Sequence, residues 1–267
     1  MMNFRRTGFI AFCLSVFALI FLSQINSFAQ KQSYYQLKVY HLKDKEQEAR
    51  LDHYLEQAYL PALHRAGIKQ VGVFKPANEV DQNHSSEPKV YVLLPFTSLE
   101  QFAGLEDKLA HDKKYAAAGE AYIQAAHDKP YYQRIETSLM QAFAGMPAMK
   151  APNLASSPSE RIYELRSYEA ATEKLHQNKV DMFNNGEIQL FDRLGFNAVF
   201  YGKVLASNKM PNLMYMTSFE NFADREARWK SFSQDPEWKK MSAMPEYANN
   251  FLRADIYLLH PTNYSDI

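Results

Sequence analysis

The chain has 267 residues with 30 basic and 30 acidic side chains, and a mean hydropathy of −0.43. This balance gives no electrostatic reason to bind nucleic acid, whose binders gather Lys and Arg on one face. The hydropathy argues against membrane segments beyond the N-terminus. The one cysteine, Cys13, lies near the N-terminus in an apolar run, so the rest of the chain has no disulfide, thiolate nucleophile or cysteine-ligated metal.

Met1–Arg6 carries two positive charges, Phe9–Leu22 is almost unbroken apolar sequence, and Ser27-Phe28-Ala29 sets small residues two positions apart. That order reads as a secretory signal peptide over residues 1–29, cut between Ala29 and Gln30. The apolar run is shorter than the ~20 residues of a membrane span. Export without disulfides fits a bacterial periplasm. Cleavage would also remove Arg5 and Arg6, leaving the chain acidic by two charges.

Tyr34–Tyr40 alternates, with Tyr35, Leu37 and Val39 on one face and Gln36, Lys38 and Tyr40 on the other, and reads as a strand. A helix to about Ala66 follows, with Leu51, Tyr54, Leu55, Ala58 and Ala62 forming an apolar stripe. Pro61 should kink it or open its last segment, and Gly67 should stop it. Ile68–Lys75 is a second strand and Lys89–Leu94, ended by Pro95, a third. Ser98 caps the next helix, with Gln101 completing a capping box. Tyr131–Met140 is the fourth strand. The order βαββαβ is that of a ferredoxin-like unit, residues 30–144. Residues 145–160, rich in Pro, Ser and Ala, read as a linker.

Residues 161–267 repeat the pattern. Arg161–Glu169 is a strand 128 positions after the first, and Gly195 stands 128 after Gly67, so strand and helix repeat without a gap. Strands Asn197–Val204, Leu213–Thr217 and Ala254–Leu259 complete the copy. Thr97-Ser98-Leu99-Glu100-Gln101-Phe102 matches Thr217-Ser218-Phe219-Glu220-Asn221-Phe222, an offset of 120 that makes the second unit's polar turn eight residues shorter. Each unit would leave one sheet face open. Closing two such faces on each other removes a sheet-sized apolar area from water at ~25 cal/mol per Å². The expected fold is α+β: two ferredoxin-like repeats packed sheet to sheet as one closed barrel.

Strand parity then suggests a site. If Leu165 faces the helices, Glu164, Arg166 and Tyr168 face the partner sheet, and Lys38 and Tyr40 join them from the first unit. A buried Arg166 needs a partner, and Glu164 is the nearest candidate; otherwise it meets water or a ligand. These five residues are the candidate ligand-binding set.

Tyr163-Glu164-Leu165-Arg166-x-Tyr168, Gly195, Met214–Phe219, Arg225-Glu226-Ala227-Arg228-Trp229 and Asp235-Pro236-Glu237-Trp238 together resemble the NIPSNAP family. The first unit matches loosely, with His111-Asp112-Lys113-Lys114-Tyr115 where the Asp-Pro-x-Trp box belongs. Glu169-Ala170-Ala171-Thr172 replaces the Pro-Gly that often follows the family's first strand. The resemblance implies a dimeric α/β-barrel fold and no established catalytic set. The wider superfamily includes cofactor-free monooxygenases, lactone isomerases and haem-binding enzymes.

Asp235 and Pro236 read as N-cap and N1 of a helix. Trp229 and Trp238 read as core anchors, and Arg225 and Arg228 as an ion-paired or solvated helix face. There is no HExxH and no tight His/carboxylate cluster, so no metal site is expected. Asp52-His53 and His111-Asp112 point apart on a helix. No cofactor is expected; haem, with His64 facing it, is the lesser alternative. Asn83-His84-Ser85 and Asn263-Tyr264-Ser265 match glycosylation acceptors, relevant only to a eukaryotic secretory route.

The expected function is binding of a small molecule or protein partner by an exported protein, without a recognisable catalytic motif and with homo-oligomerisation open. The alternatives are a barrel enzyme of the monooxygenase or isomerase type acting on a hydrophobic or aromatic molecule, and an interaction protein without a cavity.

Overall fold

The computed structural model describes residues 31–80 and 87–267. The leader, Cys13 and the Asn83-His84-Ser85 acceptor lie outside the described residues. Eight strands occur among these: β1 (Tyr34–His41), β2 (Gly72–Pro76), β3 (Lys89–Phe96), β4 (Arg134–Ala142), β5 (Ile162–Glu169), β6 (Asn197–Ala206), β7 (Asn212–Phe219) and β8 (Arg253–Pro261). They close into one antiparallel barrel in the order β1-β3-β2-β8-β5-β7-β6-β4. Each repeat supplies four neighbouring strands, and the repeats join where β2 pairs with β8 and β4 with β6. Closure leaves no strand edge unpaired in the ring.

Between β1 and β2 run α1 (Lys45–Tyr54), a π turn (Leu55–Tyr59) and α2 (Leu60–Arg65). Four short helices, α3 (Leu99–Ala103), α4 (Leu105–Ala110), α5 (Lys113–Ala118) and α6 (Glu120–Ile123), link β3 to β4. The second repeat has α7 (Glu173–Met182), a π turn (Phe183–Glu187) and α8 (Ile188–Arg193), then α9 (Phe222–Gln234) and α10 (Pro236–Ser242). The two π turns stand 128 positions apart, so the break is a property of the repeat. Pro61 falls in the first turn of α2, directly after the π turn, so it opens the last helical segment. No helix among the described residues is long and apolar enough to cross a membrane.

Three cores result. Leu51, Tyr54, Leu55, Ala58 and Ala62 pack between the first repeat's helices and its sheet. Phe183, Phe191, Phe196, Tyr201 and Tyr215 fill the matching layer of the second. The third lies inside the barrel, built by Tyr35, Leu37, Phe74, Tyr91, Leu93, Met140, Tyr163, Leu165, Phe200, Met214 and Met216 from both repeats. Met149 of the connecting segment and the terminal Ile267 join this interior core. The connector is bound to the barrel by Ser33 N to Pro147 O at 2.8 Å and Lys150 N to Val199 O at 3.0 Å.

Two sequence expectations shift. Pro95 does not end β3, which runs on to Phe96; the last β2 partner on that side is Leu93, so Pro95 lies beyond the inner ladder. The late offset is 123, not 120: Lys38 pairs with Val92 while Arg166 pairs with Tyr215, and Ser98 and Asn221 are the equivalent N-caps. Thr217 and Ser218 lie inside β7, so their likeness to Thr97-Ser98 is coincidence of residue type, and the second unit's turn is five residues shorter.

Candidate functional site

Tyr163, Leu165 and Ser167 of β5 point into the barrel, and Glu164, Arg166 and Tyr168 point the other way, under the helices. In β1, Leu37 and Val39 point inward, and Lys38 and Tyr40 lie under the first repeat's helices. The expected parity is therefore inverted in both repeats, and the five candidate residues do not share one space. The reason is that both faces of these strands are covered. An apolar Leu165 fits either side, whereas charged side chains go where helices bring counter-charges.

In the second repeat those partners are present. Glu164 is fully buried and accepts from Arg225 Nε at 2.8 Å, Arg225 Nη2 at 3.1 Å, Trp229 Nε1 at 2.7 Å and Arg166 Nε. Burial would push the Glu164 carboxyl up, but Arg166, Arg225 and the Trp229 indole N–H together hold it below its usual 4.5. Arg166 donates to the Tyr168 hydroxyl at 3.0 Å, which meets that of Tyr215 at 2.9 Å, and its guanidinium lies 3.7 Å from the Trp229 ring centre. Lys179 pairs with Glu187 at 2.8 Å, both buried. Every charged group of this layer has a partner within the protein.

The other family-like positions make contacts within the fold. Asp235 caps α10, accepting from Glu237 N at 2.9 Å with Pro236 at N1, and Arg193 reaches Asp235 at 2.9 Å. Asp112 caps α5 in the same way and takes Arg65 at 2.7 Å, so the first repeat keeps this device with Tyr115 in the place of Trp238. Trp238 packs its ring at a tilt against Phe232, 4.4 Å between centres. Gly195 has φ +74 and lets Arg228 Nη1 reach Leu194 O at 2.9 Å. Arg225 is ion-paired, within the buried Glu164 network. His64 pairs with Asp266 at 2.8 Å at the surface. Among the described residues no group of three His, Cys, Asp or Glu is placed to hold a metal.

The barrel interior contains a different candidate, a cavity of about 70 Å³ lined from both repeats. Leu37, Val39, Leu165 and Met214 form its apolar wall, and the rings of Tyr91 and Tyr257 stand 6.0 Å apart across the repeats. Ser167 lines it and accepts from Asn212 Nδ2 at 2.8 Å, while Asn212 Oδ1 is buried without a partner. Its rim carries His41, Lys89, Glu136 and Lys209. His41 Nδ1 meets Glu87 at 3.1 Å, its Nε2 lies 3.4 Å from Glu136, and Lys209 pairs with Asp255. Sequence reasoning missed this set. The usable signal was the alternation Leu37, Val39, His41, which continues the inward face of β1 to the barrel end.

The fold compares with solved structures over most of its length. A candidate monooxygenase from Fusobacterium nucleatum superposes with TM-score 0.58 at 6% identity, covering 87% of this chain and 93% of that one. A second, from Lactobacillus acidophilus, gives 0.57 at 8% identity over 86% and 94%. An anthrone oxidase-like protein gives 0.51 at 11% identity over 88% and 93%. At these identities the likeness is one of fold alone. A sequence search of the curated proteins finds no match. Residues 163–266 match the NIPSNAP family model. That span begins one residue into β5 and takes in the Glu164 network, the Gly195 stop and the Asp235 cap, so the likeness to the family falls on the second repeat.

Proposed function

We propose that this is an exported, periplasmic NIPSNAP-type protein that binds a small molecule in the cavity inside its barrel. The observation that supports this is the lining: apolar walls from both repeats, with the Ser167 hydroxyl among them and a charged rim of His41, Lys89, Glu136 and Lys209. A cavity of ~150 Å³ accommodates benzene; at about 70 Å³ this one takes only a smaller group. The ligand would insert a short apolar end between Leu37, Val39, Leu165 and Met214 and leave its remainder at the charged rim. Export rests on the leader-like sequence of residues 1–29.

Native mass spectrometry of protein purified from its own host tests the binding reading. Retained small-molecule mass that disappears in Ser167→Leu, a variant that fills the cavity, supports it; wild-type protein that carries no such mass overturns it. An enzyme acting on a hydrophobic or aromatic molecule is a second reading, favoured by Tyr91 and Tyr257 facing each other beside His41.

A further inference from the structure

The mouth of the barrel cavity lies where β1 ends and β3 and β4 begin. His41 closes β1, pairing with Lys89 of β3 on one side and Arg134 of β4 on the other, and Glu136 of β4 pairs with Val39. Side chains alternate along a strand, so Lys89 shares the inward face with Tyr91, and Glu136 shares it with Ser138; all four line the cavity. β1 stands between Lys89 and Glu136. It sets their backbones two strand spacings apart, about 10 Å.

The rim charges differ in how firmly they are held. Lys209 is paired with Asp255, and His41 Nδ1 meets Glu87 at 3.1 Å. Lys89 and Glu136 have only long contacts, and among the described residues neither makes a hydrogen bond. Lys89 lies 3.8 Å from Glu87, and Glu136 lies 3.4 Å from His41 Nε2 and 3.9 Å from Arg134. A charge-assisted hydrogen bond closes to ~2.7–2.9 Å. The two side chains are 20% and 34% exposed, so each charge is reachable from the mouth. An ammonium and a carboxylate, both loosely held, thus flank an apolar pocket formed by Leu37, Val39, Leu165 and Met214.

We infer that this cavity takes a small aliphatic α-amino acid as its zwitterion, an assignment that rests on the small-molecule reading above. The ligand's carboxylate accepts from Lys89, its ammonium donates to Glu136, and its side chain enters the apolar pocket. Two hydrogen bonds of ~2.8 Å and the single carbon between the ligand's charged groups span ~8 Å, the order of the gap across β1. A simple carboxylate would meet Lys89 but bring its charge toward Glu136, and a simple amine would do the reverse toward Lys89. The volume of about 70 Å³ is under half of the ~150 Å³ that accommodates benzene, so the isopropyl group of valine fits and the benzyl group of phenylalanine does not.

Isothermal titration calorimetry on the whole protein at neutral pH, after exhaustive dialysis, compares L-valine with two analogues. 3-Methylbutanoate lacks the ammonium, and 2-methylpropylamine lacks the carboxylate. Valine should bind about tenfold more tightly than either, the yield of one charged hydrogen bond, and phenylalanine should not bind. Lys89→Met should erase the preference over the amine, and Glu136→Gln the preference over the carboxylate, with cooperative melting kept in both. Valine bound no better than its analogues, or no better than phenylalanine, overturns the assignment and leaves the cavity reading standing. A preference that survives both substitutions overturns it too, since the zwitterion is then held elsewhere. No binding by any of these compounds also overturns it, and the retained mass in the native measurement then decides the cavity reading separately.

Discussion

Glu164 shows how one residue can hold a layer together. It carries the negative charge for two arginines while itself fully buried, and removing one member of such a pair costs about 3–5 kcal/mol because the other charges stay largely buried. Glu164→Gln keeps the shape and should lower unfolding free energy by that order, read by urea denaturation. Its pKa is held low in the folded state, so its contribution is present above the unfolded value of 4.5 and lost as pH falls through the lower folded value. The variant should therefore show a flatter stability–pH curve below about pH 4.5. His176 titrates in a different window. It is buried with both ring nitrogens unpartnered, and burial, then Lys203, lowers its pKa to about 4 from 6.5, against Glu173. Between these values the unfolded chain binds more protons, so folding stability rises with pH across that window and falls as acid is added. His176→Leu should flatten the curve there and raise stability at pH 5, measured by thermal melting across a pH series.

At the scale of the element, the helix that crosses each repeat ends at a glycine with positive φ, Gly67 at +87 and Gly195 at +74. Both close the same turn, with Ile68 N to Leu63 O at 2.9 Å and Phe196 N to Phe191 O at 3.0 Å. Alanine at either site carries the left-handed penalty of about 1–2 kcal/mol. Their surroundings differ: a Cβ at Gly67 meets nothing within 4 Å, whereas one at Gly195 would fall 1.9 Å from Arg228 Nη1. Gly195→Ala should thus cost more than Gly67→Ala in chemical denaturation. In an Arg228→Ala background the added cost of Gly195→Ala should shrink toward that of Gly67→Ala, since a double-mutant cycle isolates the pairwise term. The other repeated devices, the π turns at Leu55–Tyr59 and Phe183–Glu187 and the caps Asp112 and Asp235, show that local geometry survived while the residues of the sheet–helix layer diverged.

For the whole molecule, the barrel interior is a joint product. Tyr163, Leu165, Met214 and Met216 of one repeat are covered by Tyr35, Leu37, Tyr91 and Leu93 of the other. A chain of residues 161–267 alone would expose that face and two strand edges. It should pair with a second copy or aggregate, and light scattering after size-exclusion chromatography would report which. A stable monomer would mean that the interior face can be covered from within one repeat.

Much of this fold was legible in the residues. Alternation in Tyr34–Tyr40, the 128-residue spacing of Gly67 and Gly195, and the Asp-Pro start of a helix are local signals, because backbone geometry and capping act over a few positions. The direction in which Glu164, Arg166 and Tyr168 point was not legible. A strand covered on both faces carries no inside–outside contrast, and the deciding groups, Arg225 and Trp229, lie on a helix some sixty residues further on. The cavity beside Ser167 was hidden for the same reason, since its walls come from two repeats that only barrel closure brings together. The sequence by itself determined the elements, their order and their duplication. The tertiary structure alone decided which face met water, charge or the other repeat, because that depends on pairings between residues far apart in the chain.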